Sequence, residues 1–310
     1  MLPSEVETLI LKRSIGVLAA CVFFAAASGA SADETPLTNG NTAAAPVSEQ
    51  AAIHRVGDAF DYTVRGSMTQ AILANDAVGK LIDQPGMPTA LDGREHIAIK
   101  QISEQGITLH RSGLITAVVS NRSEKSSGKG WTLVRDDGSI AKDTGNLGGV
   151  FLLPLPFLGE RSVNAGTDLA VGATWSDKLG TKLYGMTARP TMDFQITGQR
   201  LVLGVNVYEI DATGTAPMKE PIVSNNGEAL GYATGTAHIA VQGEYDPINH
   251  RMISMEVDLT DTLRISGPGK HSGTVDDHQH YVVELDPSSL AVGAGQTDTT
   301  TPTVEVPLTH

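Results

Sequence analysis

From Ile253 to Ile265 the chain alternates apolar and polar residues with one lapse. Ile253, Met255, Val257, Leu259, Leu263 and Ile265 hold one phase. Ser254, Glu256, Asp258, Thr260, Thr262 and Arg264 hold the other, and Asp261 is the single interruption. Only an extended strand sends successive side chains to opposite faces; a helix with this pattern would scatter its apolar groups around the axis. The segment is therefore a long strand with one buried and one wet face, the habit of antiparallel sheets.

Its neighbours alternate too. Gly231 to Tyr245 precedes it, and Asp246-Pro247-Ile248-Asn249-His250 between them carries the Pro and Asn of a turn. Tyr281, Val283 and Leu285 supply one face of a third strand. Upstream, Phe60, Tyr62, Val64 and Met68 alternate with Asp61, Thr63, Arg65 and Ser67. His96 to Ile102 and Ile107 to Val119 flank a Glu104-Gln105-Gly106 turn. Met192, Phe194 and Ile196 alternate again, and Leu201 to Ala212 reads as one further strand. Thr69 to Ile82 is the segment that could form a helix, against the grain of Gly79. The expected fold is mainly β: a long-stranded curved antiparallel sheet, or open half-barrel, with few short helices.

The ends of the chain read differently. Residues 1–32 have the form of a secretory signal peptide: Lys12 and Arg13, an uncharged apolar run from Ile15 to Ala27, then Ala30-Ser31-Ala32. Cleavage after Ala32 leaves an exported product, periplasmic or secreted, with no transmembrane segment in the mature chain. Leu18-Ala19-Ala20-Cys21 offers lipoprotein processing as the alternative. Cys21 is the only cysteine, so ordinary cleavage leaves no disulfide, thiol chemistry or cysteine zinc site. Residues 33–52 read as a flexible linker, 53–285 as a single β domain and 286–310 as a flexible tail.

The formal charge of -13 falls wholly on the mature chain, because Glu5 and Glu7 cancel Lys12 and Arg13. That argues against nucleic acid as a partner. Aromatic residues make up 5%, too few for the girdles of an outer-membrane barrel, and the chain ends Pro-Leu-Thr-His without a terminal aromatic.

Chemistry-bearing motifs are sparse. There is no G-x-S-x-G nucleophile turn, and Gly267-Pro268-Gly269-Lys270 lacks phosphate-loop spacing. No catalytic residue and no cofactor is assigned. His278 and His280 follow Asp276 and Asp277, with His271 nearby, and two positions apart on a strand both imidazoles could reach one metal. They fall on the wet face, and two ligands do not close a site, so a solvated strand start is the preferred reading. Two apolar features remain. Val150 to Leu158 holds Pro154 and Pro156, which exclude it from a central strand. It is either a lid, through Phe151, Leu155 and Phe157, or a connector that closes one end of the core. On the strand from Gly231, the inner face reads Gly231, Ala233, Gly235 and Ala237, small residues that leave room for a ligand or for another part of the chain.

Leu155-Pro156, Val163 and Val171-Gly172-Ala173-Thr174-Trp175, with Gly243-Glu244-Tyr245-Asp246-Pro247 and Arg251-Met252-Ile253, resemble a pattern in uncharacterised bacterial secreted β proteins. Ala173 departs from the acidic residue of that pattern. In outline such proteins are similar to periplasmic half-barrel proteins of the lipoprotein-carrier type. The resemblance implies a curved sheet around an apolar cavity and carries no catalytic residue. The resulting expectation is a non-enzymatic cell-envelope protein that binds an apolar or amphipathic ligand, or a lipid-bearing partner. The alternatives are an interaction module with a packed interior, and a hydrolase whose site is assembled from distant residues.

Overall fold

The structure, a computed structural model, describes residues 54–75, 79–119, 122–144, 149–158, 169–180, 182, 185–223, 229–267 and 272–290. The expected signal peptide, the Cys21 alternative, the linker and most of the expected tail lie outside these residues, as do Val163 and His271.

Among the described residues eleven strands form one antiparallel sheet: β1 Ala59–Asn75, β2 Leu81–Ser103, β3 Gly106–Val119, β4 Arg122–Val134, β5 Ile140–Asp143, β6 Thr174–Lys178, β7 Thr191–Val202, β8 Val205–Val223, β9 Ala229–Asp246, β10 Arg251–Ser266 and β11 Ser272–Leu285. Each pairs with its neighbours in sequence except at two places. β11 returns to lie beside β1, and β5 and β6 form the two free edges. The order is that of an up-and-down barrel opened at one seam. Among the described residues the only other regular elements are three 3₁₀ turns, Gly149–Leu152, Leu155–Leu158 and Pro287–Leu290.

The seam almost meets. Ile140 on β5 donates its amide to the carbonyl of Gly180, just past β6, at 2.9 Å. Gly138 sits at φ +75°, and a Cβ there would collide with the carbonyl of Pro156. A Cβ on Gly180 would press the Pro156 ring at 2.9 Å. The two edges approach each other against the apolar run that joins them in sequence, and glycine is what permits the distance.

Alternation along the strands decides inside from outside. Phe60, Tyr62 and Val64 on β1, Ile97 and Ile99 on β2, Leu109 on β3 and Val257, Leu259 and Leu263 on β10 are buried in one continuous core. The outer face carries exposed Thr213, Thr215, Thr234, Thr236, Thr260 and Thr262, with Asp92, Arg94, Lys129, Glu256 and Arg264. Apolar residues point in and polar ones out, the reverse of the alternation in a membrane barrel.

The mainly β, curved, open sheet is as the period-two patterns require. Two local expectations are corrected. Thr69–Asn75 continues β1 and Leu81–Ile82 opens β2, so the described residues of that segment are strand and not helix; fourteen register pairs with β11 hold β1 extended to Asn75. Leu201 to Ala212 is not one strand. It turns at Leu203-Gly204, with φ 49° and 84°, and the two halves pair as the β7–β8 hairpin. The apolar residues on either side of the turn made it read as continuous.

Candidate functional site

The inner face is where the ligand-binding expectation falls. Ala233 and Ala237 on β9 are fully buried, with Ile239 and Val241 following them in the same phase. Gly235 leaves no vacancy at its own position: a Cβ there would lie 2.9 Å from Leu263 Cδ2, and Gly231 abuts the backbone of Ser266 and Gly267. Phe151, Leu153, Leu155, Phe157 and Leu158 are buried against the same core. Phe157 lies 6.3 Å, centroid to centroid, from Tyr245 on β9. The two sets of expected residues thus share one apolar interior, with the run 151–158 forming a plug inside the sheet.

An ionic group that the sequence reading did not single out holds that plug. Arg111 on β3 is buried on the inner face. Its Nε donates to Glu95 Oε1 at 2.6 Å, and its Nη1 reaches Thr132 Oγ1 at 3.2 Å and Asp143 Oδ1 at 3.3 Å. Its Nη2 donates to the carbonyl of Phe151 at 3.0 Å, tying the plug to the wall. Burial pushes the Glu95 carboxyl up to about 7, although the Arg111 charge and hydrogen bond pull it back. The signal was present in the pattern: Arg111 follows Ile107 and Leu109 in phase, and Glu95 precedes Ile97 and Ile99. A charge that keeps the apolar phase of a strand is an inward-facing charge.

Asp261, Asp277 and Gln70 obey the same rule. They are register neighbours across β10, β11 and β1, and all three are buried. The Gln70 carboxamide has no hydrogen-bond partner among the described residues.

One end of the interior is closed by a second buried ion pair. Arg251 Nε reaches Asp246 Oδ2 at 3.3 Å, and Asp246 also receives the amides of Ile248 and Asn249 across the β9–β10 turn. Arg251 Nη1 donates to the carbonyl of Ser289, which docks the turn Pro287–Leu290. Tyr62 donates its hydroxyl to the Met252 carbonyl at 3.2 Å. His54 is buried beside Phe60, and burial pulls its imidazole down to about 4.

On the outer face, His278 and His280 both approach one carboxylate. His278 Nε2 lies 3.4 Å and His280 Nδ1 3.1 Å from Asp258 Oδ1. Shallow grooves indent this face. One of about 590 Å³ is lined by Thr191, Asp193, Thr213, Thr215, His238 and Asp258. Another of about 640 Å³ is lined by Arg94, His96, Ser112, Ser127 and Lys129.

No family model matches the chain, and no curated protein is similar to it. Among solved structures, an outer membrane channel from Pseudomonas putida F1 is similar at 10% identity, covering 75% of this chain and 97% of that one, with a TM-score of 0.26. A likeness that slight carries no argument about this chain. The mainly β sheet is what remains of the resemblance to secreted half-barrel proteins.

Proposed function

We propose that the protein is a non-enzymatic cell-envelope interaction module whose interior is packed by its own chain and whose polar outer face makes the contacts. The observation that carries this reading is the plug. Phe151, Leu155 and Phe157 lie inside the sheet at 0–4% exposure, where a ligand would have to sit. Displacing them would expose their apolar surface, at about 25 cal/mol per Å², and would break the Arg111–Phe151 bond. Ala233 and Ala237 face that packed core. The export signal read in residues 1–32 supports the envelope setting, and the polar outer face suits an aqueous compartment.

The second reading is the carrier of an apolar or amphipathic ligand. The observation in its favour is the open seam itself: β5 and β6, between which the plug falls in sequence, share no strand ladder among the described residues. Native mass spectrometry of protein purified from its own envelope separates the two. Bare protein that fails to bind a fluorescent fatty-acid probe is the expected result. Co-purified lipid, displaced by the probe, would overturn the packed-module reading in favour of the carrier.

A further inference from the structure

We infer that Asp258, His278 and His280, with Glu256 beside them, form a binding site for a zinc-class transition-metal cation on the outer face of the sheet. The sheet itself brings them together. Asp258 on β10 is the register partner of His280 on β11, and His278 pairs with Thr260, one step along the same face. His278 and His280 are two positions apart, so both imidazoles project from one side. The result is two ring nitrogens at 3.1 and 3.4 Å from a single carboxylate oxygen, with Glu256 Oε1 at 3.9 Å from His280 Nδ1.

Glu256, Asp258 and His280 each place one ligand atom within 4.8 Å of the others. Ligands at about 2.0–2.1 Å in a tetrahedron lie about 3.3 Å from one another, and the two contacts to Asp258 have that length. Glu256 lies slightly outside that distance and His278 outside the three-residue group, so a bound cation would draw both in by rotation of their side chains. Charge favours the same occupant. Glu256 and Asp258 are like charges on one face of β10, and among the described residues neither pairs with a lysine or arginine. A divalent cation neutralises both. The donor set of two imidazoles and two carboxylates suits zinc, or another cation of its class, rather than calcium or magnesium, which take oxygen shells. His278 and His280 are 59% and 34% exposed, so the solvent side stays open. Asp258 also lines the groove that holds His238, which places the cation at the rim of that groove.

Calorimetric titration of the tag-free full-length protein with zinc chloride tests this, with calcium chloride as the control. Micromolar binding of a single zinc equivalent is expected, with no response to calcium. Asp258→Asn and the double variant His278→Ala/His280→Ala should each weaken zinc by roughly tenfold or more, while His110→Ala leaves it unchanged. The β spectrum in circular dichroism should persist in every variant, since all these side chains stand on the wet face. A second readout is cobalt: the wild type should give the visible absorption of a bound ion, and the double variant should not. No heat with zinc up to millimolar concentration would overturn the inference. So would zinc binding that survives the double variant intact.

Discussion

Arg111 donates from Nη2 to the carbonyl of Phe151 at 3.0 Å while its Nε holds Glu95 at 2.6 Å. One guanidinium therefore fastens the plug to the wall and, above pH 7, neutralises a carboxylate that has lost its water. Removing it there strands Glu95. At pH 8 Arg111→Met should cost about 3–5 kcal/mol, the range for breaking a buried pair from one side. The double variant Arg111→Met/Glu95→Gln should cost clearly less than that single change. Urea melts of the four proteins in the cycle measure it, and a double variant as unstable as Arg111→Met would contradict the pairing.

Glu95 and His54 tilt stability against pH in opposite directions. Glu95 holds its proton in the fold up to about 7 against an ordinary 4.5, so the fold loses stability as pH rises through that interval. His54 refuses a proton down to about 4 against an ordinary 6.5, so the fold loses stability as pH falls through that interval. Between 4.5 and 6.5 the two slopes offset each other. Relative to wild type, Glu95→Gln should become more stable with rising pH across this window, and His54→Asn more stable with falling pH. Each slope is at most about 1.4 kcal/mol per pH unit. Urea midpoints at half-unit pH steps read both, and parallel curves for all three proteins would contradict the assignment.

The plug should behave as core. Phe157→Ala should lower stability by about 3–5 kcal/mol, as for a buried aromatic elsewhere. A loss below about 1 kcal/mol would mean that the run sits loosely in the sheet.

Crowding β9 tests the same packing from the other side. Ala237 is fully buried, so Ala237→Trp should destabilise by about 1–3 kcal/mol or more. A carrier with an open interior would accept the indole and simply lose its ligand, with the thermal midpoint unchanged.

At the seam, Gly180→Ala should shift the thermal midpoint down by several degrees, because the added methyl meets the Pro156 ring and the Gly138 carbonyl. Gly172 differs in kind: it sits at φ +92° with nothing within 4 Å of a Cβ, so Gly172→Ala should cost only its backbone strain, about 1 kcal/mol. Equal losses at the two positions would contradict a close seam.

The cleanly alternating strands and their faces were legible locally, because a period of two needs no knowledge of partners; Thr69 to Ile82, read as a possible helix, and Arg122–Val134, which carries few apolar residues, were not. Ile253 to Ile265 and Tyr281 to Leu285 alternate as read, with Asp261, taken as an interruption, buried on the inner face; along Gly231 to Tyr245 the alternation holds to Val241 and lapses at Glu244, which is buried beside Tyr245. The alternation also placed His278 and His280 on the wet face. Turn chemistry was weaker: Leu203, at positive φ, has no sequence mark, so the β7–β8 hairpin was read as one strand. Which strand faces which was fixed by long-range packing. The pairing of β1 with β11, separated by nearly the whole domain, follows from no local pattern. The curved sheet's interior took in the run from Phe151 to Leu158 and put Arg111 within reach of its carbonyl, and the β10–β11 register set Asp258 between two histidines. Each of these depends on register across strands, and register is fixed by the packing of the whole interior, where a slip of one residue would send every apolar side chain to the wrong face.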